Sequence, residues 1–402
     1  MNYWWILNFV DWVLFGIVAI TALYILIFSI ASLFSRHSIV NKSKRQRRFI
    51  VLIPAYKQDH VVIQSVSSML GQTYPQRLFD VVVISDHEKE MTNMRLAQFP
   101  ITLLTPNFEV STKAKSLQFA VLNLPQYKIY DAVLVLDADN VVEPEFIEQM
   151  NDAYEAAGTK VIQAHRLSKN RDTSAARLSS IFEEINNSIF RRGHIALGLS
   201  AAINGSGMIY DFEWFKSHIM KVHTAGEDKE LEAMLMREQI FVDYFDNINV
   251  YDEKTRKTND FNDQRSRWAS TQLHSLISNL RYLPGAVLNR RYDHVDKIIQ
   301  WMLVPRMIMM GIIMIMSIVL PFIYFTLAIK WWAVAAVVMF AFALATPDYL
   351  VDKNWDRDFL YAPLLTVGGL INIARVGKTE ADTRINSFWQ FFKRLVPRRS
   401  TP

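Results

Sequence analysis

Asp137 and Asp139 stand one residue apart directly after the apolar run Ala132 to Leu136, in the stretch DAVLVLDADNVVEP. Carboxylates at the mouth of a buried strand are costly unless they hold something. In an extended chain residues i and i+2 point the same way, so both carboxylates reach one hard cation, Mg²⁺ or Mn²⁺, able to bind the diphosphate of a sugar nucleotide. The plainer alternative is that the pair caps a helix starting near Pro144. Two further groups keep them company. AGEDKELE places Glu227 and Asp228 at the start of a helical pattern, where acidic side chains complement the helix dipole. NDQRSRW supplies Gln264, Arg267 and Trp268 at i, i+3 and i+4, on one helix face; taken alone, Trp268 reads as a core or interfacial anchor.

These residues need a frame to bring them together. FIVLIP (Phe49 to Pro54), DVVVIS (Asp80 to Ser85), AVLVL (Ala132 to Leu136) and KVIQA (Lys160 to Ala164) are short β-rich runs, and helical stretches at Val61 to Leu70 and Lys113 to Leu122 lie between the first three. Continuous apolar runs are what a parallel sheet covered on both faces requires, so an α/β domain of the nucleotide-binding kind is expected. The first strand runs into Pro54-Ala55-Tyr56 and not into a glycine-rich turn, which argues against a dinucleotide site. His165 and His194 have no ligand spacing around them and are expected to be structural or solvent-facing.

Of the 402 residues 51% are hydrophobic and 16 are methionine, an excess that is localised. Trp12 to Phe34 and Met307 to Ile329 carry no Asp, Glu, Lys or Arg, each long enough to cross a hydrocarbon core of about 30 Å; Trp331 to Thr346 is a shorter third candidate. Basic residues from Arg36 to Arg48 follow the first span, placing the N-terminus outside and the bulk of the chain in the cytoplasm. The two later spans then form a hairpin with its tip at Lys330, Trp331 and Trp332. His274 to Trp301, with Arg281, Arg290, Arg291 and Lys297, reads as amphipathic helices lying in the interface, and Phe359 to Ile373 as another interfacial segment. The formal net charge of +5 sits beside predicted membrane ends, which points to anionic lipid headgroups and away from nucleic acid. The absence of cysteine excludes disulfides and thiolate metal sites and fits a reducing compartment. The expected division is a membrane helix with a basic flank (1–48), a cytoplasmic α/β domain (49–271), interfacial helices (272–305), a membrane hairpin (306–350) and a cytoplasmic or interfacial tail (351–402).

Asp86, then Asp137-Ala138-Asp139, then Gly226-Glu227-Asp228, then Gln264-Arg265-Ser266-Arg267-Trp268, in this order, resembles the membrane-embedded glycosyltransferases of family 2, among them the cellulose, chitin, hyaluronan and poly-N-acetylglucosamine synthases. The resemblance covers roughly Arg48 to Thr271. It implies a GT-A fold with a mostly parallel sheet and an inverting transfer from a UDP-sugar to a glycan or lipid acceptor at the inner face of a membrane. In such an enzyme Asp86 contacts the uracil edge, Tyr56 lies near the base, and Lys113 faces the donor phosphates. Asp137 and Asp139 surround the metal diphosphate. Asp228 acts as general base with Glu227 in support; Gln264 contributes to donor binding and Arg267 faces the diphosphate, while Trp268 and the segment Gly205, Ser206, Gly207 border the acceptor. Where many relatives read Asn-Glu after Pro-Ala-Tyr, this chain has Lys57, Gln58 and Asp59, so Asp59 is the candidate for the uridine contact made there. Polymer elongation and export is the expected outcome, with transfer of one sugar to a lipid as the alternative. A glycoside hydrolase would also use paired carboxylates, but has no need of a lysine and an arginine around phosphate. Sugar identity and oligomeric state have no signature in the chain.

Overall fold

The computed structural model describes residues 4–35, 40–125, 127–224, 226–254 and 271–351. A helix, α1 (Trp4–Ser32), precedes an eight-stranded mixed sheet. Its strands are β1 (Phe49–Tyr56), β2 (Phe79–Asp86), β3 (Thr102–Leu104), β4 (Ala132–Val135), β5 (Val141–Val142), β6 (Val161–Ser168), β7 (Met208–Asp211) and β8 (Val242–Asp252), in the order β3-β2-β1-β4-β7-β6-β8-β5. The pairs β1–β2, β1–β4, β2–β3 and β6–β8 are parallel, and β4–β7, β6–β7 and β5–β8 antiparallel. Both faces are covered, as the unbroken apolar strands demand. Val51, Ile53, Val81 and Leu134 pack under α2 (Val62–Leu70) and α5 (Phe146–Ala157) on one face. Ile50, Leu52, Val82 and Val135 pack on the other under α4 (Lys113–Leu122), α8 (Phe212–Ile219) and α9 (Glu227–Arg237).

Strand direction positions the chemistry. The carboxyl ends of β1, β2 and β4 lie at one edge of the sheet because these strands run parallel. Since β7 is antiparallel to β4, with Val135 opposite Met208, the segment that leads into β7 arrives at that same edge. The ends of β6 and β8, paired through Ser168 and Asp252, join it.

A second core surrounds the long apolar helices. α6 (Ser174–Asn187) continues through a π-helical turn, Ser188–Arg192, into the short α7 (Gly193–Ala196). Together they pack on α1, with Leu178, Ile185 and Ile189 against Val18, Ile25 and Phe28. A Cβ on Gly193 would lie 2.3 Å from the Phe28 carbonyl oxygen, so only glycine lets α7 come this close to α1. After β8 the chain is helical over 271–279 (α10), then forms α11 (Leu283–Leu288), α12 (Tyr292–Met302), α13 (Arg306–Ile323) and α14 (Phe325–Ala345). Among the described residues α1, α13 and α14 are long and apolar enough to cross a membrane, and they leave Trp5, Leu7, Phe9, Ile318 and Phe322 exposed.

Two expectations need correction here. The hairpin turns at Tyr324, whose backbone is extended between α13 and α14, and not at Lys330 to Trp332. Lys330 and Trp331 lie inside α14, where the Lys330 ammonium pairs with Asp11 of α1 and the Trp331 indole donates to Asp11 Oδ1 at 2.8 Å. An opposite charge across the helix interface makes a lysine tolerable within an apolar segment. Lys297, expected among the basic residues of the interfacial stretch, is only 1% exposed and pairs with Glu232 of α9. His194 is fully buried, which selects the structural one of its two expected alternatives. The segment Phe359 to Ile373 lies outside the described residues.

Candidate active site

The sheet edge gathers the predicted residues from separate elements. β1 ends at Tyr56 and β2 at Asp86, which are register partners. Each strand is followed by a residue in left-handed conformation, Lys57 (φ 53°) and His87 (φ 60°), so the chain turns sharply away and leaves both side chains at the edge. Asp86 is fully buried. Its Oδ1 contacts His87 Nδ1 at 2.6 Å, while Oδ2 has no partner among the described residues. A buried carboxylate oxygen without a donor is a costly feature that a bound N–H group would satisfy. Tyr56 is half exposed, its ring edge-on to His87. Asp59 has other work: its Oδ1 accepts from the Thr92 hydroxyl at 2.6 Å and from the Lys89 backbone N–H at 2.9 Å. These hydrogen bonds, Thr92 foremost, lower its pKa, and they anchor the start of α3 (Glu90–Leu96).

β4 stops where its ladder does. The backbone N–H of Leu136 still reaches the Leu52 carbonyl, but that of Asp137 donates to the Ser206 hydroxyl at 2.9 Å. A turn closed by Asn140 N–H to the Asp137 carbonyl follows at once. Asp137 and Asp139 therefore sit in a turn and not in an extended chain as expected. Asn140 supports this turn, donating to Asp139 Oδ1 at 3.0 Å and accepting from the Ser206 hydroxyl. Burial, and then the negative charges of Asp252 and Asp137, push the Asp139 carboxyl up to about 7. Asp139, with no cation paired to it among the described residues, and Asp137 beside it fit a hard divalent cation held by the two carboxylates. Among the described residues no group of three or more His, Asp or Glu is placed to hold a metal, so the remaining donors would come from diphosphate oxygens and water.

Lys113, at the first turn of α4 behind the Thr112 cap, joins the two sides of the cleft. Its ammonium lies 2.5 Å from Asp137 Oδ1, 2.9 Å from the Gly205 carbonyl and 3.5 Å from Glu227 Oε1. Burial disfavours its charge, but Asp137 and Glu227 outweigh this and hold its pKa above that of an ordinary lysine. Glu227 and Asp228 open α9, where unpaired N–H groups favour acids. Burial pushes the Glu227 carboxyl up to about 7, Lys113 opposing and Asp228 adding to the shift. Gly205 closes the gap, since a Cβ there would be 3.4 Å from the Asp228 Cβ. Gly207 has φ 65° and a Cβ on it would meet Val250 at 2.8 Å, so this segment is built for backbone passage in tight quarters. The structure thus brings Lys113, Asp137, Gly205, Ser206, Glu227 and Asp228 together. Gln264, Arg267 and Trp268 lie outside the described residues.

Sequence reading missed Arg166. Extending from β6 into the edge, it pairs with Asp252 at 2.6 Å and approaches Asp137 Oδ2 at 3.9 Å. The signal was an arginine in a strand otherwise bound for the core, which implies a buried anion to meet it.

A family model described as "Glycosyltransferase like family 2" matches residues 46–271, more than half of the chain. No match was found among curated proteins. Among solved structures, one similar to this chain is the "Mannosyltransferase PcManGT from Pyrobaculum calidifontis in complex with GDP-Man and Mn2+", 12% identical, with a TM-score of 0.51, covering 90% of this chain and 98% of that one. S. aureus TarS 1–349 in complex with UDP-GlcNAc is 14% identical with a TM-score of 0.40, covering 83% of this chain and 92% of that one. The first of these likenesses bears on the fold, which is of the GT-A type.

Proposed function

The chain belongs to glycosyltransferase family 2, and from that premise we propose that it transfers a sugar from a UDP-sugar, with inversion, to a growing glycan at the cytoplasmic face of a membrane. The observation that carries this reading is the meeting of Lys113 with Asp137 on one side and Glu227 on the other, beside Asp228. Inversion needs a base on one face of the anomeric carbon and charge stabilisation at the opposite face. Asp228, at the helix terminus, takes the acceptor hydroxyl proton, and Glu227 fixes Lys113. Lys113 faces the departing diphosphate. Asp86 accepts the uracil N–H with its free Oδ2, and Tyr56 lies beside the base. Asp59 is engaged with α3, which favours a structural part for it. Asp137 and Asp139 hold Mg²⁺ or Mn²⁺, which supplies neutralising charge to the leaving diphosphate when bound. Gly205 to Gly207 line the acceptor path, and the resemblance assigns Gln264, Arg267 and Trp268 to the diphosphate and acceptor ends. The apolar exposure of α1, α13 and α14 supports three spans, and the basic residues from Arg36 to Arg48 support an outside N-terminus.

The test is incubation of the purified protein with a panel of UDP- and GDP-sugars and either metal, followed by sizing of the product. A lengthening glycan made from a UDP-sugar is expected. A product carrying one added sugar on a lipid overturns polymerisation, and turnover with GDP-sugars alone overturns the uracil assignment. Asp228→Asn should lower kcat by about 10²–10⁴ with donor affinity unchanged in calorimetry; undiminished turnover removes Asp228 from its role.

A further inference from the structure

A second basic site lies away from the cleft, at the far end of α9. Arg237, in the last turn of that helix, and Arg281, Tyr282, Asn289, Arg291 and His294 line a cavity of about 320 Å³ between α9 and the α11–α12 segment. Ten residues of helix, about 15 Å, separate Arg237 from Glu227. The cavity is rich in donors and poor in acceptors. Among the described residues no carboxylate pairs with Arg237, Arg281 or Arg291. The Arg237 Nε donates to its own helix, at the Ala233 carbonyl, and Arg291 Nε is buried without a partner among the described residues. His294 is 2% exposed, and neither of its ring nitrogens has a hydrogen-bond partner among the described residues. Elsewhere in this molecule buried cations are answered, Lys297 by Glu232 and Arg166 by Asp252. Around this cavity no described carboxylate supplies the counter-charge.

The geometry points to a phosphate oxyanion on a membrane lipid headgroup as the ligand of this pocket. Guanidinium groups suit phosphate because their planar fork offers paired donors. Two of them are already set in orientation on the Tyr282 ring, Arg281 at 4.8 Å and Arg237 at 5.2 Å from its centroid. His294 provides a further donor once its ring has an anion to face; at present burial and the charges of Arg237 and Arg291 lower its pKa. What favours a lipid over a free anion is the surface around the pocket. Leu280, Val287 and Leu288 are exposed on the same segment, Leu288 at 83%. Exposed apolar side chains beside a cluster of arginines suit an acyl chain and its headgroup together.

The full-length protein in neutral detergent would be titrated with phosphatidylglycerol, with phosphatidylcholine and with inorganic phosphate, reading adducts by native mass spectrometry and the Tm. Phosphatidylglycerol is expected to bind more tightly than phosphatidylcholine, with its affinity lowered about tenfold or more in Arg281→Gln/Arg291→Gln. Arg290→Gln, at an exposed residue outside the pocket, should leave the affinity unchanged. Should the double variant fail to fold, Arg281→Gln alone, at an exposed position, carries the same comparison. Inorganic phosphate binding as tightly as phosphatidylglycerol, and lost in the same variants, would overturn the lipid source. Equal phosphatidylglycerol affinity in wild type and variants would overturn the site.

Discussion

Lys113 is the residue through which the two halves of the cleft touch, since its one ammonium faces Asp137, Glu227 and the Gly205 carbonyl. A cation shared by two carboxylates holds their relative position and remains available to a diphosphate. Lys113→Met, which keeps the length of the side chain and removes its charge, is expected to lower kcat/KM about 100-fold or more, measured as UDP release. Lys113→Arg should recover little, because a planar guanidinium cannot place three donors around one point. Arg166 acts one step further out. Its fork on Asp252 keeps that carboxylate from adding uncompensated charge next to Asp139. Arg166→Met should therefore raise the donor KM more than it lowers kcat.

At the scale of elements, the contact between α1 and its neighbours depends on one polar cluster and one missing side chain. Lys330 in α14 lies over the Trp12 ring of α1 at 3.8 Å while pairing with Asp11. Removing one charge leaves the other buried, so Lys330→Met should destabilise by about 3–5 kcal/mol, and Asp11→Asn/Lys330→Met should recover much of the loss. Thermal unfolding in detergent reads both. Gly193→Ala places a methyl group against the Phe28 carbonyl, forcing α7 away from α1, and should cost about 1–3 kcal/mol by the same measurement. α7 feeds directly into the 200–207 segment at the cleft, so that variant is also expected to lose activity at temperatures where it remains folded.

Across the whole molecule, a polar path runs from the first apolar helix to α9. The Tyr24 hydroxyl donates to Asp296 and contacts His194; Gln300 donates to Asp296, and Lys297 donates to Gln300 at 3.0 Å. Lys297 pairs with Glu232, which accepts from Ile203 N–H and pairs with Lys229, next to Asp228. Glu232 is fully buried. Desolvation opposes its charge, but Lys229 and Lys297 prevail and lower its pKa from 4.5 to about 2. A depressed carboxyl pKa stabilises the folded state above its unfolded value and ceases to do so as pH falls through the folded one. Glu232→Gln should thus be less stable than wild type at pH 7, the Tm difference staying full above pH 4.5 and closing as pH falls to about 2.

The continuous apolar runs of β1, β2 and β4 and the helices α2 and α4 were legible along the chain, because a sheet buried on both faces and an amphipathic repeat are local properties. So were the types of the residues at the cleft, since a lysine, paired aspartates and an acidic helix start are unusual company. What local pattern could not supply was partnership. Lys330 can lie inside α14, past the turn at Tyr324, because Asp11, 319 positions away, neutralises it. Lys297 faces inward because Glu232 waits there, Asp59 is engaged by α3, and Arg166 meets Asp252 across two strands. Charge can be buried only where its counter-charge already lies, and that neighbour is chosen by the tertiary fold.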